Sequence, residues 1–161
     1  MTIRNLARYC RRGALLAGTV LLLTACAPSP DELAEGQEPY LRFCASCHGN
    51  DGGGKAPAFP PIAGSEWLAM GPDAIALVVL GGMSGEIEVA GRTYRGYMPP
   101  MRQLSDEDIA GLVGYIGREW ADWEHLPDAG RIAELRPLTD DRRATSGRAG
   151  LEALLERVPA R

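Results

Sequence analysis

The chain has 161 residues, 45% of them hydrophobic and 24% charged, with a formal net charge of −4; that is room for one ordinary domain and an extension, not for two large independent domains. Its positive charge is unevenly placed: Arg4, Arg8, Arg11 and Arg12 precede the first acid, Asp31, so a chain that lost residues 1–25 would keep 13 basic and 21 acidic side chains, net −8. That balance disfavours a nucleic-acid partner, because neutralising phosphates needs the opposite sign.

The four arginines lead into an apolar run from Ala14 to Leu23 and then Thr24-Ala25-Cys26. A basic start, a short apolar stretch and small residues before a break predict a secretory signal; the apolar run is too short to cross a bilayer comfortably. Leu23-Thr24-Ala25-Cys26 resembles the bacterial lipobox. The resemblance implies a lipoprotein signal peptide over 1–25, an acylated Cys26 as first mature residue, and a lipid-anchored tether over 26–30. Ordinary cleavage near Ala25 or Ala27 with Cys26 left free is the alternative, and Arg11-Arg12 admits a weaker twin-arginine reading. Ala27 resembles an outer-membrane sorting signal, so the protein is expected in the bacterial cell envelope, facing the periplasm.

The main domain is expected over 31–126. Asp31 offers an N-cap, and Glu32, Glu35 and Glu38 suit the positive end of a helix whose apolar side is Leu33, Tyr40, Leu41 and Phe43. That helix would run into Cys44-Ala45-Ser46-Cys47-His48. The stretch 50–61, rich in glycine and proline, reads as a loop, and Ser65 caps a short turn containing Trp67 and Leu68. Pro72 suits a first helical position, followed by the apolar stretch Ala74 to Leu80 and a stop at Gly81-Gly82. From Glu86 the pattern changes to a small hairpin or extended loop with Gly91 in the turn, leading to Tyr97-Met98-Pro99-Pro100. Ser105 to Trp120 is the strongest helical segment: Ser105 with Asp108 makes a capping box, Leu104 can staple onto Ile109, and Ile109, Leu112, Val113, Ile116 and Trp120 share one face. Gly111, Gly114 and Gly117 each cost that helix about 1 kcal/mol relative to alanine, which suggests a close approach by another backbone, tolerated solvent-side glycine being the alternative. The remainder, 127–161, is nearly neutral, and Leu151, Leu154, Leu155 and Val158 predict a second amphipathic helix in that extension.

Two thiols and an adjacent imidazole at the spacing of Cys44, Cys47 and His48 can hold one haem c: the thiols add across its vinyl groups and the next residue puts a ring nitrogen on iron. Zinc would want four Cys or His ligands, and beyond Cys26 the mature chain offers only these three and the distant His125. A thioredoxin-like pair would want a preceding strand. Covalent haem also closes the cysteine arithmetic, since Cys10 leaves with the signal, Cys26 takes lipid and no disulfide is needed.

Over residues 31–123 the chain resembles the class I cytochromes c. Gly36, Tyr40 and Cys44 stand at the intervals of that family's first helix, Pro60-Pro61-Ile62-Ala63-Gly64 matches its proline turn, and Met98-Pro99-Pro100 looks like its distal methionine segment. The resemblance implies an all-α class I fold, short helices wrapped round one haem, with the last helix crossing the first through Leu112 and Tyr115 and with Gly36 and Gly111 or Gly114 permitting the approach. It implies a hydrogen bond from His48 Nδ1 to the Pro60 carbonyl, and Met98 rather than Met101 as sixth ligand, making His48 and Met98 the metal ligands. Met70 and Met83 read as packing, His125 as a surface bystander, and Trp67 and Tyr94 as pocket walls; Tyr97 suits either porphyrin contact or plain packing.

Two fixed axial ligands leave iron no open site, which favours outer-sphere electron transfer over oxygen or peroxide chemistry. The function expected is that of a membrane-anchored periplasmic c-type cytochrome carrying single electrons to and from redox-partner proteins, not an enzyme in its own right, with Arg92, Arg95 and Arg102 as a docking rim. An alternative is the cytochrome subunit of a dehydrogenase, nitrogen-oxide reductase or oxidase complex. The extension favours it, being more than a monomeric carrier needs and resembling the tail of subunits that accept electrons from quinoprotein-type dehydrogenases. A third reading is a haem sensor or peroxidase from which the methionine departs.

Overall fold

The computed structural model describes residues 33–140 and 143–160. The signal segment, Cys26, the tether and the Asp31 cap lie outside the described residues. The first helix, α1, spans Gln37–Phe43 and does not extend back over Leu33 as expected. Gly36 is the reason: it adopts φ +77, where the chain turns, and a Cβ placed on it would lie 1.9 Å from the Gly111 carbonyl oxygen. The glutamates upstream favour helix only locally, and this backbone contact overrides them.

One further turn, α2 (Ala45–His48), completes the CxxCH segment. After the glycine loop, Ser65 caps a 3-10 turn, Glu66–Met70, by accepting from the Trp67 amide, and α3 (Pro72–Gly81) starts on its proline and stops at Gly82. Helix α4 (Asp106–Trp120) is capped by Ser105, whose hydroxyl accepts from the Asp108 amide, and buries Ile109, Leu112, Val113, Tyr115 and Ile116.

The fold is mostly helical as expected, and the hairpin anticipated before the distal methionine is present as part of a small three-stranded sheet. Met83–Val89 (β1) and Arg92–Met98 (β2) form a full antiparallel hairpin, closed by Ala90 and Gly91 at φ +51 and +70. Positive φ at both turn residues matches the right-handed twist of the flanking strands. A third strand, β3 (Thr145–Ser146), pairs parallel with Met83 and Ser84, so the sheet order is β2-β1-β3. Sequence patterning exposed the hairpin but not β3, whose two residues carry no alternation to read.

The extension folds back on the domain. Helix α5 (Ala129–Leu135) packs on α4, the 3-10 turn Arg136–Thr139 packs on α3, and α6 (Gly147–Leu155) covers α3 and β1. Ile132, Leu135 and Leu151 are as fully buried as Leu77, Leu80 and Leu112, so one core runs through both parts. Arg131 fixes this arrangement, donating to Asp73 at 2.7 Å, to Glu134 at 2.7 Å and to the Pro159 carbonyl at 3.0 Å.

Candidate haem-attachment site

The end of α1 and the single turn of α2 present the three residues of the motif. Cys44 closes α1, its amide bonding the Tyr40 carbonyl at 2.8 Å, and the Cys47 and His48 amides both bond back to the Cys44 carbonyl. Neither cysteine is in a disulfide. Cys44 is buried, and burial, with the neighbouring Cys47 adding to it, pushes its thiol up to about 12.

His48 Nδ1 lies 2.9 Å from the Pro60 carbonyl oxygen. A carbonyl only accepts, so Nδ1 carries the proton and Nε2 keeps its lone pair for a metal. Burial holds this imidazole below its usual range, with the Pro60 bond pulling weakly the other way, so the ring stays in the neutral form that ligates metals.

The loop that delivers Pro60 is built from the glycines around it. The Gly54 amide donates to the His48 carbonyl at 2.7 Å, the Lys55 amide to that of Phe59 at 2.9 Å, and the Ile62 amide to that of Gly52 at 2.7 Å. Gly54 sits at φ +73, and a Cβ there would come 2.7 Å from the Phe59 carbonyl oxygen and the Pro60 carbonyl carbon. Lys55 Nζ reaches back to the Ser46 carbonyl at 2.6 Å. Sequence reading passed over Gly54 and Lys55; only the density of glycine in 52–54 hinted at a tight return.

Tyr40 ties the motif to α4. Its hydroxyl donates to the Gly49 carbonyl at 2.7 Å, and its ring lies 5.3 Å from those of Tyr115 and Trp120. Burial, reinforced by the Cys44 sulfur, raises its phenol far above the ordinary range. The expected crossing of the two helices thus stands on this aromatic cluster and on Gly36 against Gly111; Gly114 instead meets its own helix's Arg118, and Gly117 meets Trp123.

The methionines separate by environment. Met83 is core, Met70 Sδ lies 3.5 Å from Arg148 Nη1, and Met101 Sδ lies 3.6 Å from Gln103 Nε2. Met98 ends β2 half-buried, in register with Met83. Tyr94 is buried, Tyr97 is 64% exposed, and buried Trp67 donates its indole N–H to the Glu88 carbonyl while Arg148 stacks on its ring at 4.9 Å. His125 is exposed on an open groove of about 620 Å³ shared with Asp73, Trp123 and Leu155, to which no residue of the CxxCH motif contributes. The anticipated arginine rim is thinner than expected: Arg92 is exposed, Arg95 pairs with Glu86, and Arg102 turns inward to donate to the Thr139 carbonyl.

These residues fit a covalent porphyrin. The two thiols flank a single helical turn, the imidazole beside them has its far nitrogen satisfied, and no group of three His, Cys, Asp or Glu side chains suited to a bare metal ion exists among the described residues.

A family model for cytochrome c matches residues 33–120. Cytochrome c-552 of Thermus thermophilus is 39% identical over 110 residues, covering 66% of this chain and 79% of that protein. The cytochrome c subunit of a quinone alcohol dehydrogenase from Gluconacetobacter polyoxogenes is 32% identical over 119 residues, covering 65% of this chain and 22% of that subunit. The corresponding subunit from Gluconobacter oxydans is 36% identical over 88 residues, covering 53% of this chain and 18% of that subunit.

Proposed function

Since the chain belongs to the cytochrome c family of haem c electron carriers, we propose that it is a lipid-anchored, periplasm-facing member of it, bound to haem through Cys44 and Cys47 and ligating iron with His48 and Met98. The observation that carries this reading is the 2.9 Å bond between His48 Nδ1 and the Pro60 carbonyl, which aims a neutral imidazole from the residue next to both thiols. When bound, haem supplies an iron that changes charge by one electron, at a potential that axial ligation can move over about 0.8 V. The chain's own part is to hold the half-buried ring of His48 through Pro60 and to present a second ligand from the end of β2.

Support for Met98 over Met101 comes from the Met101 sulfur's contact with Gln103 and from the anchoring of Met98 in strand pairing. Replacing Met98 by His should lower the midpoint potential sharply and remove the sulfur-to-iron charge-transfer band, whereas the same change at Met101 should leave both in place; the reverse pattern assigns the ligand to Met101. Lipid anchorage rests on the sequence around Cys26 alone, with Ala27 pointing to the outer membrane. Cys26→Ser should release the protein from the membrane fraction.

A second reading, the electron-accepting subunit of a quinone-linked dehydrogenase complex, is favoured by the relatives that are subunits of alcohol dehydrogenases. The extension packs on the domain, with Ile132, Leu135 and Leu151 fully buried and Leu154, Leu155 and Val158 partly buried against the same core, so its packing by itself favours neither the subunit nor the free carrier. A stoichiometric dehydrogenase copurifying from detergent extracts would establish the subunit; recovery of the cytochrome by itself would favour the free carrier.

A further inference from the structure

We propose that Arg136, from the C-terminal extension, is a positioning residue that holds the methionine segment in place for ligation; the inference rests on the reading of Met98 as sixth ligand. Between the end of β2 and the start of α4 the chain has few anchors of its own. Pro99 and Pro100 have no amide proton to donate, and the backbone bonds that hold the segment run from the Met101 amide to the Val79 carbonyl at 2.9 Å and from the Leu104 amide to the Met101 carbonyl at 3.1 Å.

The Arg136 guanidinium supplies what the segment lacks. Its Nη1 donates to the Arg102 carbonyl at 3.0 Å, its Nη2 to the Leu104 carbonyl at 3.0 Å, and its Nε to Asp106 Oδ1 at 2.8 Å. Only arginine has a rigid planar fork able to meet three acceptors at once; lysine is a single point charge on a flexible stem. In the opposite direction, Arg102 donates to the Thr139 carbonyl, and the Thr139 hydroxyl donates to the Arg136 carbonyl at 2.9 Å. Arg136 and Asp106 are only 26% and 27% exposed, so solvent screens the pair incompletely. On the other side, a Cβ at Gly82 would lie 2.5 Å from the Met98 carbonyl oxygen, and the Gly82 carbonyl accepts from the Thr145 amide at 3.2 Å. The extension therefore grips the segment directly through Arg136 and indirectly through Gly82.

A thioether is a neutral, weak donor, so its hold on a metal depends on how closely its loop is pre-set; a released loop pays ordering entropy each time it ligates. Arg136 lowers that cost without touching the metal.

The test uses full-length, matured, haem-loaded protein in four forms: parent, Arg136→Gln, Arg136→Lys and Met98→Ala, together with the double variant Arg136→Gln/Met98→Ala. Two quantities are measured: carbon monoxide affinity of the reduced protein, and hydrogen exchange at the Met101 and Leu104 amides. Arg136→Gln should raise carbon monoxide affinity about tenfold, a change typical of coupled residues, and speed both amides; Arg136→Lys, which keeps the charge and supports folding if the glutamine variant fails, should do so to a smaller degree. With Met98 already replaced there is no sulfur left to position, so Arg136→Gln should add nothing. An equal effect in both backgrounds would reduce Arg136 to a structural staple and overturn the proposal. So would parental affinity in both Arg136 variants alongside strong binding by Met98→Ala, an outcome that leaves the ligand assignment standing. Parental affinity in Met98→Ala would remove the ligand assignment itself, and the proposal with it.

Discussion

Gly36 and Gly111 meet where α1 crosses α4, yet they carry unequal constraint. At Gly36 both the positive φ and the Gly111 carbonyl forbid a side chain, whereas a Cβ on Gly111 would meet only the Gly36 Cα at an ordinary 3.6 Å. Gly36→Ala should therefore cost at least about 2 kcal/mol through left-handed strain and overpacking, while Gly111→Ala should be neutral or gain up to about 1 kcal/mol from helix propensity. Urea unfolding of the two variants checks this; equal losses would mean the crossing is not set by Gly36. The chemistry-bearing residues at this level were legible because their spacing is local: Cys44, Cys47 and His48 are neighbours on one turn. The Pro60 contact, twelve residues away, came only through family resemblance; Gly54 showed only as part of a glycine-dense stretch and Lys55 not at all, because their roles are contacts with backbone carbonyls, which no side-chain pattern records.

The hairpin is pinned at its turn by a side chain outside it. Glu66 Oε2 accepts from the Ala90 amide at 2.9 Å, and this bond, followed by one from its own backbone amide, holds the carboxyl below its ordinary range. A depressed folded-state value means the carboxylate stabilises the fold above the unfolded-state pKa and loses that contribution as pH falls through the folded value. Wild type should thus melt above Glu66→Gln near neutral pH, the two converging in acid; a gap that persists at low pH would show that the contact is not ionic in origin. Among the elements, α3 and α4 were readable from capping and periodicity because Pro72, Gly82, Ser105 and the apolar face of α4 all agree. The start of α1 was not, since the acids of 31–38 argue for helix locally while Gly36 is fixed by a residue 75 positions further on.

Taken whole, the molecule is one core stapled by long-range charge. Arg131, 8% exposed, answers Asp73 at the start of α3 across 58 residues of sequence. Arg131→Met would leave Asp73 mostly buried with its principal cation gone, at a cost of about 2–3 kcal/mol, below the full penalty for a wholly buried pair because Asp73 is 21% exposed. Thermal unfolding should then lose cooperativity between domain and extension, or shift downward as a unit; an unchanged profile would mean the pair contributes nothing net. The amphipathic face of α6 could be seen in sequence, but not its partner, because β3 and the arginines act through residues far along the chain. All of this scaffolding serves one claim, that Cys44 and Cys47 are joined to a porphyrin beside a His48 aimed by Pro60. The pyridine haemochrome spectrum of the exported, purified protein, read with its intact mass after acid-acetone extraction, tests it most directly. Two thioether bonds predict a c-type spectrum and one haem retained on the polypeptide; a colourless chain with both thiols free, or haem that extracts into the acetone, would contradict it.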